Sequence, residues 1–384
     1  MDDTHDSQQP RKKPGAGFFF VTMTFYLILV YGSSLIMLPN GGMTTRDFDY
    51  PAVWPWLSMW FDGFARSPIV EVAVLALPIL FGCMALVFLL TRRLVGGPAW
   101  LGSLAGTFLM AHPVKTETLF SLTGVYYGLA TLMALLTLLM YARVRQEGGV
   151  APFAIALLSF AIATGVFAVN AALLGVLILL ELFVGDSEER NWLRLLPFLG
   201  VTMVANWFHL DILYAQMPTL DSIVGPLLLV LYPIGLLPET VAHVDAHAWQ
   251  GWAWGIGVML VLGWALFKVK SAPFRFAVLA VLFFRVYPGA LPINYVTLEN
   301  AGQLFFPLAM CGVALAALSA WLMRFEAWGR PTVAITTILC LILFVLQFQA
   351  NRAYSPVDAL RDYYPAETAH VAQNDGAAEA TESR

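Results

Sequence analysis

The feature that most constrains this chain is a succession of apolar runs, each long enough to cross a lipid bilayer as a helix. A spanning helix needs about 20 mostly apolar residues, because the hydrocarbon core is about 30 Å thick and each helical residue rises 1.5 Å. We identify eleven such runs, which begin near Phe18, Ile69, Ala99, Gly124, Ala151, Ala171, Leu195, Gly251, Ala272, Gln303 and Pro331. The sequence therefore predicts an all-α polytopic membrane protein with about eleven transmembrane helices.

The composition excludes several other classes of protein. Of the 384 residues, 59% are hydrophobic and only 12% are charged, against about 25% charged in soluble domains. That balance excludes a soluble globular enzyme and a disordered regulator. The net charge of −4 offers no broad basic surface, so we expect no nucleic-acid partner. The three cysteines are odd in number and far apart, and they imply no disulfide framework.

Lysine and arginine occur in every second connection between the runs, which predicts the orientation of the chain. Cytoplasmic loops are enriched in these residues, so we expect a cytoplasmic N-terminus and an extracytoplasmic C-terminus in a bacterial inner (plasma) membrane. Residues 1–17 are the predicted cytoplasmic segment and 18–350 the transmembrane domain, with 39–67 as its first outer loop. Residues 351–384 form an extracytoplasmic tail that we expect to be disordered after 364.

Two proline-containing segments are predicted to be re-entrant or interfacial pieces on the outer face. The first is 222–238, which is apolar but contains three prolines, and the second is 288–292. If 222–238 crossed the membrane, Lys268 and Lys270 would fall on the outer side and break the charge pattern. Irregular backbone at this depth requires cover by protein or by a water-filled cavity.

Ionisable and polar side chains gather near the predicted outer face. Charges at membrane depth are costly and are functional candidates by default. Lys115 and Arg285 are suited to binding phosphate oxygens, and Asp47 or Asp49 to accepting a proton from an attacking hydroxyl. An open alternative is that these charges only pair with one another inside the bundle. The complete candidate set is Asp47, Asp49, His112, Lys115, Glu117, Arg285, Glu299 and Gln303.

Cofactor motifs are weak or missing from the sequence. His243, Asp245 and His247 include two histidines at helical spacing, a weak divalent-metal pattern without an evident third histidine or cysteine ligand, so a solvated loop is favoured. No phosphate-binding or dinucleotide-binding glycine motif is present, and we expect no cofactor. Glu71 and Glu181 lie near the ends of predicted spans, where we expect them to be solvated.

The segment MAHPVKTETLFSLTGVYYGLATLMALLTLLMYAR, residues 110–143, resembles a recurrent segment of GT-C class membrane glycosyltransferases related to O-mannosyltransferases with tetratricopeptide repeats. The HPVxTE pattern of that family is matched by His112, Pro113, Val114, Thr116 and Glu117. Shorter similarities at 86–97, 231–239 and 349–376 follow in the same order along the chain. The resemblance implies a GT-C-like bundle, a polyprenyl-phosphate sugar donor, an acceptor reached from the extracytoplasmic face, and an aspartate of the first outer loop as the general base.

The chain also departs from this family, which keeps two other functions open. The family's SKE triplet aligns with Thr164, Gly165 and Val166, its ERY triplet begins at Ala301 and Gly302, and no tetratricopeptide array follows. These losses favour a catalytically silent relative that binds a lipid carrier or joins membrane protein partners. A transporter or channel is a third hypothesis, although we find no internal repeat of the kind those folds contain.

Overall fold

A computed structural model describes residues 69–112, 122–184, 190–208, 248–286 and 301–353. These residues are helical apart from short connections, and no strand occurs among them. The all-α prediction is therefore confirmed for the part of the chain that the structure describes. Residues 1–68 and 354–384 lie outside it, so the predicted N-terminal segment, first outer loop and tail stay predictions.

Ten α-helices are present within the described ranges, and they begin close to the predicted starts of spans two to eleven. The described ranges also contain four 3-10 segments, each directly before an α-helix: Ala168–Ala172, Trp192–Leu195, Ala301–Leu304 and Glu326–Trp328. The helices are α1 (Ile69–Leu94), α2 (Ala99–Ala111), α3 (Leu122–Glu147), α4 (Val150–Val166), α5 (Leu173–Phe183), α6 (Leu196–Phe208), α7 (Ala248–Lys268), α8 (Ala272–Val286), α9 (Phe305–Leu322) and α10 (Gly329–Ala353).

Three helical segments in the described ranges are long and apolar enough to cross a membrane: Ala76–Leu94, Gly124–Glu147 and Gly302–Leu322. Shorter apolar helices include Ala99–Ala111, whose 13 residues extend about 20 Å at 1.5 Å per residue, less than the hydrocarbon thickness. The structure is thus consistent with a membrane protein, whereas the predicted count of eleven spans stays a prediction.

Apolar side chains cover the outer surface of several helices. On α10, exposed side chains include Ile335, Ile338, Leu341 and Val345, and α7 exposes Leu260, Val261, Trp264 and Phe267. Soluble monomers rarely expose contiguous apolar surface of this kind. In a bilayer these side chains face hydrocarbon, which removes the cost of hydrating them.

The core is built around α3, which packs against α1 on one side and α4 on another. Helix α2 packs against α1 and α9, while α8 joins α9 to α5. Small residues let these helices approach closely, as is common in membrane bundles. A Cβ atom added to Gly312 of α9 would lie 2.8 Å from the backbone oxygen of Ala105 in α2, so the two backbones are almost in contact at this crossing.

Candidate functional site

The arginines of the connections meet at one end of the bundle. Arg93 Nη2, at the end of α1, lies 2.7 Å from Glu147 Oε1 at the end of α3, and Arg143 Nε lies 2.7 Å from Glu147 Oε2. A buried ion pair joins the ends of α3 and α5. We call this end the basic end, defined by Arg92, Arg93, Arg143, Arg145, Arg190 and Arg194.

Three of the predicted site residues lie at the opposite end. Gly175, near the start of α5, contacts Phe283, near the end of α8. Because α5 finishes at the basic end, α8 must finish at the other end. The rings of Phe284 and Phe306 then lie 4.8 Å apart between their centroids, which brings the start of α9 to the end of α8. Arg285 and Gln303 therefore lie at the same end of the bundle.

His112 reaches this same end by way of α2. The four-residue connection 95–98 forces α2 to begin at the basic end, where α1 finishes, and to run away from it. His112 lies seven residues beyond Ala105 in α2, and Gln303 lies nine residues before Gly312 of α9. Because α2 runs toward this end and α9 runs away from it, both residues lie on the same side of the α2–α9 crossing. We call the end that contains His112, Arg285 and Gln303 the polar end.

The side chains of the polar end are buried. The exposed fractions of His112, Arg285 and Gln303 are 0%, 1% and 3%. The histidine ring packs on Phe108 one turn earlier in α2, with 5.7 Å between the ring centroids. Burial of a permanently charged guanidinium is costly, so a group of this kind is retained where anion recognition or structure requires it.

The corner between α4 and α5 adds a fourth polar group to this end. Phe167 interrupts the helix with an extended backbone, and a 3-10 turn, Ala168–Ala172, follows. The buried Asn170 donates from Nδ2 to the carbonyl oxygen of Ala163 at 2.9 Å. The same oxygen also accepts from the backbone N–H of Phe167 at 3.1 Å, so both bonds tie the 3-10 turn to the end of α4. The Phe167 ring packs edge-on against Tyr127 of α3 at 5.0 Å.

The other predicted site residues lie outside the described part of the chain. They are Asp47, Asp49, Lys115, Glu117 and Glu299, together with the weak metal pattern His243, Asp245 and His247. Within the described ranges, no group of three or more histidine, cysteine, aspartate or glutamate side chains is arranged to hold a metal ion. The prediction that Asp47, Asp49, Lys115, Glu117 and Glu299 gather with Arg285 near the outer face stays a prediction.

Glu181 is not solvated, contrary to our expectation from the sequence. It is 1% exposed, and its carboxylate accepts from Tyr141 Oη at 2.6 Å on Oε1 and from Arg145 Nη1 at 2.5 Å on Oε2. The same Arg145 nitrogen donates to the Glu181 backbone oxygen at 3.0 Å. Arg145 itself lies in the last turn of α3 and is buried.

Two signals in the sequence point to this buried pair in retrospect. Tyr141 and Arg145 are four residues apart and so share one face of α3. Glu181 is the single charged residue in LLGVLILLELF, the sequence of α5, and a lone acid in such a run requires a cationic partner. Only the packing of α3 beside α5 identifies which cation that is.

The chain matches no family model, no curated protein sequence and no solved structure.

Proposed function

We propose that this chain is a membrane glycosyltransferase that moves a sugar from a polyprenyl-phosphate-linked donor to an acceptor at the extracytoplasmic face. The observation that carries the proposal is a buried arginine, Arg285, at the polar end together with His112 and Gln303. Additional support comes from the resemblance of the segment that begins at His112 to GT-C class enzymes.

The described residues suit the two parts of such a donor. The guanidinium of Arg285 is planar and permanently charged, and it can bind two phosphate oxygens at once. The amide of Gln303 offers both donors and an acceptor, and the imidazole of His112 offers one of each when neutral. Amide and imidazole groups of this kind suit the hydroxyls of a sugar.

The chemistry requires a base, which the proposal assigns to the first outer loop. Asp47 or Asp49 accepts the proton of the acceptor hydroxyl as its oxygen attacks the anomeric carbon, and the polyprenyl phosphate departs as the leaving group. Lys115 and Arg285 stabilise the negative charge that develops on the departing phosphate. Glu117 and Glu299 complete the polar surroundings in this proposal.

One observation favours a second candidate, a carrier-binding protein without turnover. The 3-10 turn Ala301–Leu304 begins with Ala301 and Gly302, where the resembling enzymes have glutamate and arginine. Gly302 is buried at this turn, so the polar end lacks both side chains at these positions. Arg285 and His112 would still bind a lipid phosphate in such a protein.

The double variant Asp47→Asn, Asp49→Asn tests the enzymatic proposal. We expect sugar transfer from a polyprenyl-phosphate donor in proteoliposomes to fall about a hundredfold to ten-thousandfold, because a general base contributes a factor of that size. Binding of the donor, measured separately, should remain.

Arg285→Gln should instead weaken donor binding by about tenfold or more. Arg324→Gln, an exposed change at the other end of α9, serves as the control.

Two outcomes would contradict the enzymatic proposal in different ways. Full turnover by the double aspartate variant would exclude the assigned base. Donor binding that depends on Arg285, with no sugar transfer by the wild-type chain to any acceptor tested, would instead support the carrier-binding protein.

A further inference from the structure

The turn that leads into α6, at the basic end, carries an arginine that forms no ion pair with any described residue. Arg194 belongs to the 3-10 segment Trp192–Leu195. Its Nη1 atom is buried from solvent and donates no hydrogen bond. Among the described residues no carboxylate forms an ion pair with it, in contrast to Arg93, Arg143 and Arg145.

The carboxylate in this corner is already occupied. The Arg194 guanidinium acts electrostatically on the Tyr141 hydroxyl, which donates to Glu181. Both carboxylate oxygens of Glu181 accept from Tyr141 and Arg145. Among the described residues of this corner, the guanidinium groups of Arg145 and Arg194 outnumber the one carboxylate, that of Glu181. A buried donor without a partner is costly, so an anion from outside the chain would be stabilised here.

The surroundings of Arg194 are those of a membrane interface. The exposed fractions of Trp192 and Leu193 are 48% and 71%, and Leu196 and Arg190 are also exposed. Tryptophan and arginine, each apolar along one part and polar at the tip, favour the boundary between hydrocarbon and headgroups. Exposed apolar side chains beside a cation match a lipid, which presents an acyl chain next to a phosphate.

The turn is held in place by its own hydrogen bonds. Asn191 Oδ1 accepts from the backbone N–H of Leu193 at 3.1 Å, which caps the segment. Arg190 Nη2 donates to the backbone oxygen of Leu182 at 3.0 Å and so ties the turn to the end of α5. Arg194 therefore projects from a defined backbone rather than from a free loop.

We propose that this corner is a phosphate-binding site for an anionic phospholipid headgroup, with Arg194 as the buried donor and Arg190 at its rim. Guanidinium groups bind phosphate oxygens in bidentate fashion. The site lies at the basic end, opposite to the polar end, and it does not depend on the proposed glycosyl transfer. Free inorganic phosphate is the other source of the same chemistry.

The experiment uses the full chain purified in a neutral detergent. Its thermal unfolding midpoint is measured during titration with phosphatidylglycerol, with phosphatidylcholine and with inorganic phosphate. We expect phosphatidylglycerol to raise the midpoint, because a ligand that binds only the folded state stabilises it. In Arg194→Gln the apparent affinity should fall about tenfold, the typical effect of one lost charge-assisted hydrogen bond. Arg324→Gln, at the end of α9, should behave as the wild type.

A second pair of variants separates the site from an internal ion pair. Glu188 and Glu189 precede Arg194 in the sequence, and their change to glutamine should leave the lipid affinity unchanged or raise it. Arg194→Lys keeps the charge and should retain part of the lipid affinity. It provides the measurement if Arg194→Gln fails to fold.

The outcomes separate the sources of the phosphate and decide the proposal. Stabilisation by inorganic phosphate that is lost in Arg194→Gln would support the site and assign it to a free anion. Equal affinities of wild-type, Arg194→Gln and Arg194→Lys chains would overturn it, as would a loss of affinity in the glutamate variants.

Discussion

At the scale of single residues, the best-defined interaction is the buried group formed by Tyr141, Arg145 and Glu181. The two oxygens of Glu181 each accept a hydrogen bond from α3, so the charge of the arginine and that of the glutamate are both compensated. A buried pair of this kind adds little net stability, because desolvation offsets the attraction. Removal of one partner, however, leaves the other charge buried alone.

We therefore expect Glu181→Gln to destabilise the chain strongly, by about 3 kcal/mol. Tyr141→Phe removes one hydrogen bond and leaves the ion pair, so its cost should be about 1 kcal/mol. The double variant Arg145→Met, Glu181→Leu should recover much of the loss, because no buried charge remains. Unfolding in detergent, followed by circular dichroism, measures all three. Similar stabilities of Glu181→Gln and the wild type would mean that the pair is hydrated rather than buried.

At the scale of elements, the crossing of α2 and α9 positions the polar end. Gly312 lies against the backbone of Ala105, and Gly102 of α2 lies against Phe88 of α1. These contacts set the height of α2 relative to α9, and with it the relative positions of His112 and Gln303. The helix starts were predictable because long apolar runs satisfy their backbone hydrogen bonds locally. Their partners were not, because every apolar run offers similar side chains to its neighbours.

Gly312→Ala should destabilise the α2–α9 crossing by about 1–3 kcal/mol, because the added methyl meets backbone atoms that cannot rotate away. Gly200→Ala on α6 is the matched control, since no heavy atom lies within 4 Å of the added Cβ. The control should remain within about 1 kcal/mol of the wild type. Thermal unfolding of both variants in one detergent gives the comparison, and equal midpoints would show that the crossing is looser than the structure describes.

At the scale of the whole molecule, two ends differ in charge. The arginines of alternate connections converge at the basic end, whereas His112, Arg285 and Gln303 lie at the polar end. The sequence predicts this separation because lysine and arginine occur in every second connection. In a bundle of successive antiparallel helices, every second connection lies at the same end. Which end faces the cytoplasm stays a prediction from the excess of lysine and arginine.

Labelling of single cysteines tests that orientation. In a chain whose Cys83, Cys311 and Cys340 are changed to alanine, we expect Lys115→Cys to react with a membrane-impermeant maleimide in intact cells. Leu193→Cys, at the exposed basic end, should react only after the cells are permeabilised. The reverse pattern would place the basic end outside and remove the basis for an extracytoplasmic glycosyl transfer.

The sequence by itself determined the all-α class and the approximate starts of the ten described helices, because hydrophobic length and local hydrogen bonding act within each run. It also indicated the separation of charges between the two ends. Only the tertiary structure decided that Glu181 is buried and pairs with Arg145, 36 residues away, and that Arg194 has no ion pair among the residues described. Such pairings depend on which helix faces lie together. The apolar side chains of membrane helices are too similar to specify their partners, so close packing at sites such as Gly312 selects them.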